Sequence, residues 1–281
     1  MFNIAMFHAW LEYNETTPFF VKMKTLYGCL FASMLHSVEG WGDLSMIEKT
    51  LLATERKALK SCLGIKSGTQ TDLIYHEIFR SDIIAVIKDR QFNFAEKIKK
   101  VGKDEALMKE IWDMCQVDNQ PTSLRQYYEN AGDKNSDTNK SERRMRIETS
   151  EQSMCVRYRG IVGLEHCSTL YDSCLDDRRR KTITRWRLSS HKLRIETGRY
   201  SRPFTERDQR VCKLCQVVED EVHAIFECDA HRLIRDKYKD ILKLQDNTIQ
   251  QLLNPTSVNG AKDLALFLDE IEENMKELDM C

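Results

Sequence analysis

The residues best suited to do chemistry in this chain are Cys212, Cys215, His223 and Cys228, spaced C-x2-C-x7-H-x4-C. Thiolates and imidazole are the ligands zinc takes, and a short loop plus one turn can gather four of them onto a tetrahedron. Four protein ligands leave no open coordination position, so the expected cofactor is a structural Zn2+, not a catalytic one. Metal binding at a complete site of this kind contributes on the order of 10 kcal/mol to folding. His231, three residues past Cys228, is expected to face solvent from a helix.

A basic stretch runs through residues 176–210, just before the cluster. It carries Arg185, Arg187, Lys192, Arg194 and Arg199, interleaved with Trp186 and Tyr200. Guanidinium groups pair with phosphates, and aromatic rings stack on unpaired bases. The cations are therefore expected to contact phosphates, and Trp186 and Tyr200 to contact bases.

Signatures of catalysis are missing. Asp176-Asp177 is the only Asp-Asp pair in the sequence. It reads as the negative start of a helix, ahead of Arg178 to Arg180. None of the 7 His sits in a nucleophile motif, and there is no Gly-rich phosphate loop. No catalytic residue is expected.

The elements that must position these residues read as helices. With only 4 Pro and 11 Gly in 281 residues, long helices are favoured over a many-turned β fold. Pro18 to Met34 carries enough apolar residues for a buried helix. Ser45 to Glu48 has the form of a capping box, and Gly64 is placed to end the helix it opens. Ser81-Asp82 opens another, with Ile84, Ile87, Phe94, Ile98 and Val101 along one face. Residues 104–129 suggest two shorter helices. Leu264, Phe267, Leu268, Ile271, Met275 and Leu278 recur at heptad-like spacing near the end. The expected fold class is mainly α: a helical, bundle-like N-terminal region plus a small basic module with the zinc knuckle. The expected divisions are a weakly ordered start (1–16), a helical region (17–129), a polar linker (130–146), the basic and zinc-bearing region (147–245) and a C-terminal helical segment (246–281).

Bulk properties narrow the classes. Lys and Arg number 43 against 44 Asp and Glu, so only the distribution of charge can point to a polyanion. The 10 Cys come with no basic-then-apolar leader, which favours free thiols in a reducing, intracellular setting, nucleus or cytoplasm. No window approaches the length of a membrane span, so neither a membrane nor a small-molecule substrate is an expected partner.

The run RWRLSSHKLRIETGRYSRP followed by CKLCQVVEDEVHAIFEC resembles the C-terminal region of non-LTR (LINE-type) retrotransposon reverse transcriptases, in which a Cys-Cys-His-Cys knuckle follows the polymerase thumb. Upstream, LYGCLFASMLHSVEGWGDLSMIEKTLLATERKALKSCLGI is similar to the helical segment after the palm, with His36-Ser37 departing from the family's usual Tyr-Gly. The resemblance covers about residues 17–245. It implies a thumb-like helical remnant in 17–129 and nucleic-acid binding, to template RNA or target DNA. The family's catalytic aspartates and palm have no counterpart here, and Pro255 is followed by Thr256 where a downstream endonuclease would have Pro-Asp. The function expected is non-enzymatic binding of RNA or single-stranded DNA. The alternatives are a protein-interaction module, with self-association through residues 261–280, and a reverse-transcriptase remnant without a function of its own.

Overall fold

The structure, a computed structural model, describes residues 4–14, 16–36, 38, 44–101, 110 and 136–280. The two helices expected in 104–129 fall outside these, apart from Glu110. Among the described residues the fold is helical, with one isolated antiparallel bridge, Val211 to Val218.

The N-terminal half contains α1 (Ile4–Tyr13), α2 (Phe19–Thr25), α3 (Ser45–Leu63), α4 (Thr71–Glu77) and α5 (Ile83–Val101). α2 runs on through a π-helical segment, Leu26–Phe31, into Ala32–Met34. Within the expected weakly ordered start, Ile4–Tyr13 is a helix, because Phe7 and Leu11 bury against the core. α3 begins at Ser45 with Leu44 as its N-cap, one residue before the expected capping box, and ends at Gly64 as expected. Gly64 has φ +67, and a Cβ there would meet Lys181 Cδ at 2.8 Å, so glycine is required twice over. Asp82 caps α5 by accepting from the Ala85 N–H at 3.0 Å.

The C-terminal half contains α6 (Ser136–Thr149), α7 (Ser153–Val162), α8 (Ser168–Tyr171), α9 (Asp177–Arg187), α10 (Arg194–Thr197), α11 (Arg232–Tyr238), α12 (Ile249–Leu252) and α13 (Val258–Met280). The linker expected at 130–146 is corrected from residue 136 onward: that stretch is α6. Its few anchors suffice, since Ile147 is buried and Arg143 is buried beside Asp72 and Asp82, at 3.7 and 3.0 Å.

One apolar core runs through both halves, with Leu26, Leu59 and Ile87 from the first and Tyr158, Ile183, Trp186 and Phe267 from the second. Among the described residues, two fully buried ion pairs cross between them. Lys22 of α2 reaches Asp177 of α9 at 2.7 Å, with both side chains fully buried. Arg180 and Lys181 hold the same carboxylate at 2.7 and 2.8 Å. Glu77, at the end of α4, pairs with Arg187 at the end of α9, again fully buried. Glu77 also accepts from the hydroxyls of Tyr158 at 2.6 Å and Tyr171 at 2.5 Å, and Arg187 donates to the Leu253 carbonyl at 2.7 Å. Buried charge is tolerated only when its hydrogen bonds are completed in this way.

The amphipathic face of α13 is used internally. Ala261, Leu264, Phe267, Leu268 and Ile271 are buried, and α13 packs chiefly on α9. The heptad-like spacing is therefore the signature of an intramolecular seam, and any self-association through 261–280 would have to use another face of the helix. No helix among the described residues is long and apolar enough to cross a membrane.

Candidate metal centre

The knuckle is built from a tight turn and a π-turn. Cys212 and Cys215 lie on the turn closed by the Gln216 N–H to the Cys212 carbonyl (3.0 Å) and the Cys212 N–H to the Val217 carbonyl (2.8 Å). Gln216 takes φ +57 to complete it. His223 and Cys228 bound a π-helical segment, His223–Glu227, whose closing bond runs from the Cys228 N–H to the His223 carbonyl at 2.7 Å. In an α-helix, five residues advance a side chain by roughly 500°, leaving the two on different faces. The wider i→i+5 turn brings them back to one side. Asp220 fixes the start of the segment by accepting from the His223 N–H at 3.0 Å.

The result is a compact ligand set. One ligand atom from each of Cys212, Cys215, His223 and Cys228 lies within 4.8 Å of all the others. The Sγ atoms of Cys212 and Cys228, and of Cys215 and Cys228, are 3.8 Å apart. With zinc–sulfur bonds of about 2.3 Å, a tetrahedron requires about 3.8 Å between sulfurs. His223 is 4 % exposed, and neither ring nitrogen has a hydrogen-bond partner. Glu227 lies 3.6 Å from Nδ1, beyond hydrogen-bond reach, and a buried imidazole without a hydrogen bond is costly unless an ion completes it. Burial, and behind it the neighbouring sulfurs of Cys212 and Cys215, push the Cys228 thiol up to about 12. A dication among the sulfurs reverses that preference and holds thiolates. The residues fit zinc as four-coordinate structural ligands, as the spacing predicts.

His231 departs from expectation. It is 2 % exposed, with Nδ1 unpartnered, and burial followed by the charge of Arg235 pulls it down to about 4. It lies under the knuckle, lining a hollow of about 140 Å³ with Met275 and Leu278.

The basic stretch is largely structural. Trp186 and Arg187 are corrected as nucleic-acid contacts, because both are fully buried. Trp186 donates Nε1–H to Glu272 at 3.1 Å, and Arg187 serves Glu77. Arg185 is held by Glu272 at 3.4 Å, and Arg199 by Glu196 at 3.4 Å and Ser153 at 2.9 Å. Arg194 is about one-third exposed, with Glu219 3.7 Å from its guanidinium. Lys192 and Tyr200 remain open to solvent.

Acidic residues inside the ligand spacer pin this stretch to the knuckle. Glu219 accepts from the Arg194 N–H at 3.0 Å, while Glu221 accepts from Ser189 Oγ at 2.9 Å and lies 2.8 Å from His191 Nε2. Burial raises Glu221, but His191 and then Arg157 override it and hold the carboxyl down at about 2. The Glu219-Asp220-Glu221 run was the available sequence signal for this clamp. Beyond Tyr200, Arg202, Phe204 and Arg207 are also exposed on the loop that enters the knuckle. Asp176, of the Asp-Asp pair, caps α9 by accepting from the Arg179 N–H at 3.0 Å.

Fold and site together define the class: a mainly α-helical protein carrying a compact Cys-Cys-His-Cys module able to chelate a structural metal ion. Comparison with protein-family models, with curated proteins and with solved structures finds no match in any of the three.

Proposed function

We propose that this protein is a non-enzymatic nucleic-acid-binding protein, and that its zinc knuckle shapes the binding surface without taking part in chemistry. The observation that carries the proposal is the closed four-ligand set beside an exposed loop bearing Tyr200, Arg202, Phe204 and Arg207. Such a set leaves zinc no position for substrate. The loop runs into the knuckle, whose start is fixed by the Glu219 N–H bond to the Arg210 carbonyl at 2.9 Å. Arg210 in turn donates to the Thr205 carbonyl at 2.9 Å and the Ile195 carbonyl at 3.0 Å, so the loop and the knuckle are one unit. Lys192 and the exposed arginines supply phosphate contacts, and Tyr200 and Phe204 supply stacking faces. The resemblance to LINE-type reverse transcriptases supports the same ligand class.

Two measurements on the full chain test this. Elemental analysis is expected to give one zinc per chain, lost in a Cys212→Ser, Cys215→Ser variant. Binding of a labelled oligouridine is expected to fall with salt, and to weaken in a Lys192→Glu, Tyr200→Ala variant that keeps its zinc. Zinc-loaded protein with no affinity for RNA or single-stranded DNA at low salt would refute the proposal.

A further inference from the structure

A second surface, far in sequence from the knuckle, also combines rings and cations. Phe79 follows α4 in a paired turn: its N–H donates to the His76 carbonyl and the Arg80 N–H to the Tyr75 carbonyl, both at 3.0 Å. This is the Schellman arrangement, and Phe79 holds the left-handed position usually given to glycine, with φ +51. An L side chain disfavours that conformation. The ring is also 56 % exposed. Ending the helix accounts for the left-handed backbone, but not for placing a large exposed ring there in place of glycine, and strain of this sort gathers at ligand sites. The ring is held in place from behind: it packs on His166 at 5.4 Å, and His166 stacks on the buried Tyr171 at 5.9 Å.

Phe79 stands on the wall of a cleft of about 840 Å³ that also includes Phe20, Lys24, Tyr27, Arg80 and Lys140. The exposed Phe79 and the half-buried Tyr27 and Phe20 each have a cation at the ring face. Arg80 lies 4.1 Å from the Tyr27 centroid, Lys140 5.1 Å from Phe79, and Lys24 5.8 Å from Phe20. Across the ridge formed by Phe79, Arg80 and Lys140 is a second hollow of about 250 Å³, which Arg144 also lines. Opposing charge is sparse. Asp172 is engaged with His166 at 3.1 Å, and Asp137 with Lys140 at 3.2 Å. Arg80 makes no ion pair among the described residues.

We propose that the Phe79 cleft binds single-stranded nucleic acid, with bases stacked on Phe79 and Phe20 and phosphates paired to Lys24, Arg80 and Lys140. Alternating flat rings and cations match alternating bases and phosphates. A duplex keeps its base faces inside its own stack and cannot use the rings. An acidic peptide would satisfy the cations but leave the rings without a partner. The cleft extends the nucleic-acid function proposed above to a new surface, and its geometry does not depend on zinc.

The test is fluorescence polarisation of the zinc-loaded full chain with labelled oligouridine, oligothymidine, a DNA duplex and polyglutamate. Phe79→Gly relieves the left-handed strain, so the melting temperature is expected to hold or rise while single-strand affinity falls by about 5- to 150-fold, the range for loss of one stacked base. Lys24→Glu, at an exposed position, is expected to weaken binding and flatten its salt dependence without altering stability. Single-strand affinity unchanged in both variants would overturn the proposal. So would duplex binding equally sensitive to Phe79→Gly, or a loss confined to polyglutamate. Loss in the Lys192→Glu, Tyr200→Ala variant with both cleft variants intact would overturn the cleft and leave the zinc-module surface standing. The reverse pattern would support the cleft and remove that surface.

Discussion

Replacing Arg187 with Ala separates a structural role from a binding one. Arg187 is fully buried and bonds Glu77 through Nε and Nη2, the Leu253 carbonyl at 2.7 Å and Asn254 Oδ1 at 2.6 Å. Its removal leaves a buried carboxylate whose remaining donors are the hydroxyls of Tyr158 and Tyr171. Breaking one side of a buried pair typically costs about 3–5 kcal/mol. Against a total stability of roughly 5–15 kcal/mol, that is a large fraction. At roughly 2–4 °C per kcal/mol for a chain of this size class, the melting temperature should fall by about 6–20 °C. A Glu77→Gln, Arg187→Met double variant, which removes both charges, should recover part of the loss. Urea and thermal melts read the stability, and oligonucleotide binding is measured well below the melting point. If Arg187→Ala melts within about 2 °C of the parent and loses nucleic-acid affinity instead, the buried assignment is wrong and the guanidinium does face ligand.

Three further outcomes follow from the same contacts. Burial raises the Glu77 and Asp177 carboxyls, but Arg187 overrides it for Glu77, and Arg180 with Lys181 and Lys22 for Asp177, so both sit below their ordinary range. Depressed carboxyls give stability that is complete above the unfolded value of about 4 and lost as pH falls through the folded values; a melting temperature that rises on acidification from neutral pH would contradict this. Asp176→Ala removes the cap of α9 and is expected to cost about 1 kcal/mol in urea titration, and an unchanged midpoint would exclude the cap. Chelation of the metal should expose Cys212, Cys215 and Cys228 to a thiol reagent while far-UV helicity mostly persists, because the core lies elsewhere; equal thiol reactivity before and after chelation would rule out the site.

The metal site was legible because its ligands are close in sequence and their chemistry is narrow. Helix ends at Gly64 and Asp82 were legible for the same reason: each depends on a local backbone need. The fate of the basic stretch was not. Trp186 and Arg187 look like a ligand surface until their partners are known, and those partners, Glu272 and Glu77, lie 86 and 110 residues away. A polar composition misled likewise at α6, where Ile147 and Arg143 anchor an otherwise solvated helix. Phe79 gave no sequence signal, since its distinction is a backbone angle that glycine would adopt more readily.

The two ion pairs that cross the core have a consequence for dissection. Lys22 and Glu77 belong to the first half, Asp177 and Arg187 to the second, so each half contributes one cation and one anion. Expressed alone, the first half would hold Glu77 without Arg187, Tyr158 and Tyr171 and Lys22 without Asp177, and the second would hold Arg187 without Glu77, although Asp177 would keep Arg180 and Lys181; neither is a self-sufficient folding unit. Mixed together, the halves hold complementary charge at both points, in opposite polarity, so only one register of docking satisfies both. The chain is thus suited to fragment reassembly, and a cut between the halves should yield two polypeptides that are soluble as a pair and aggregate apart.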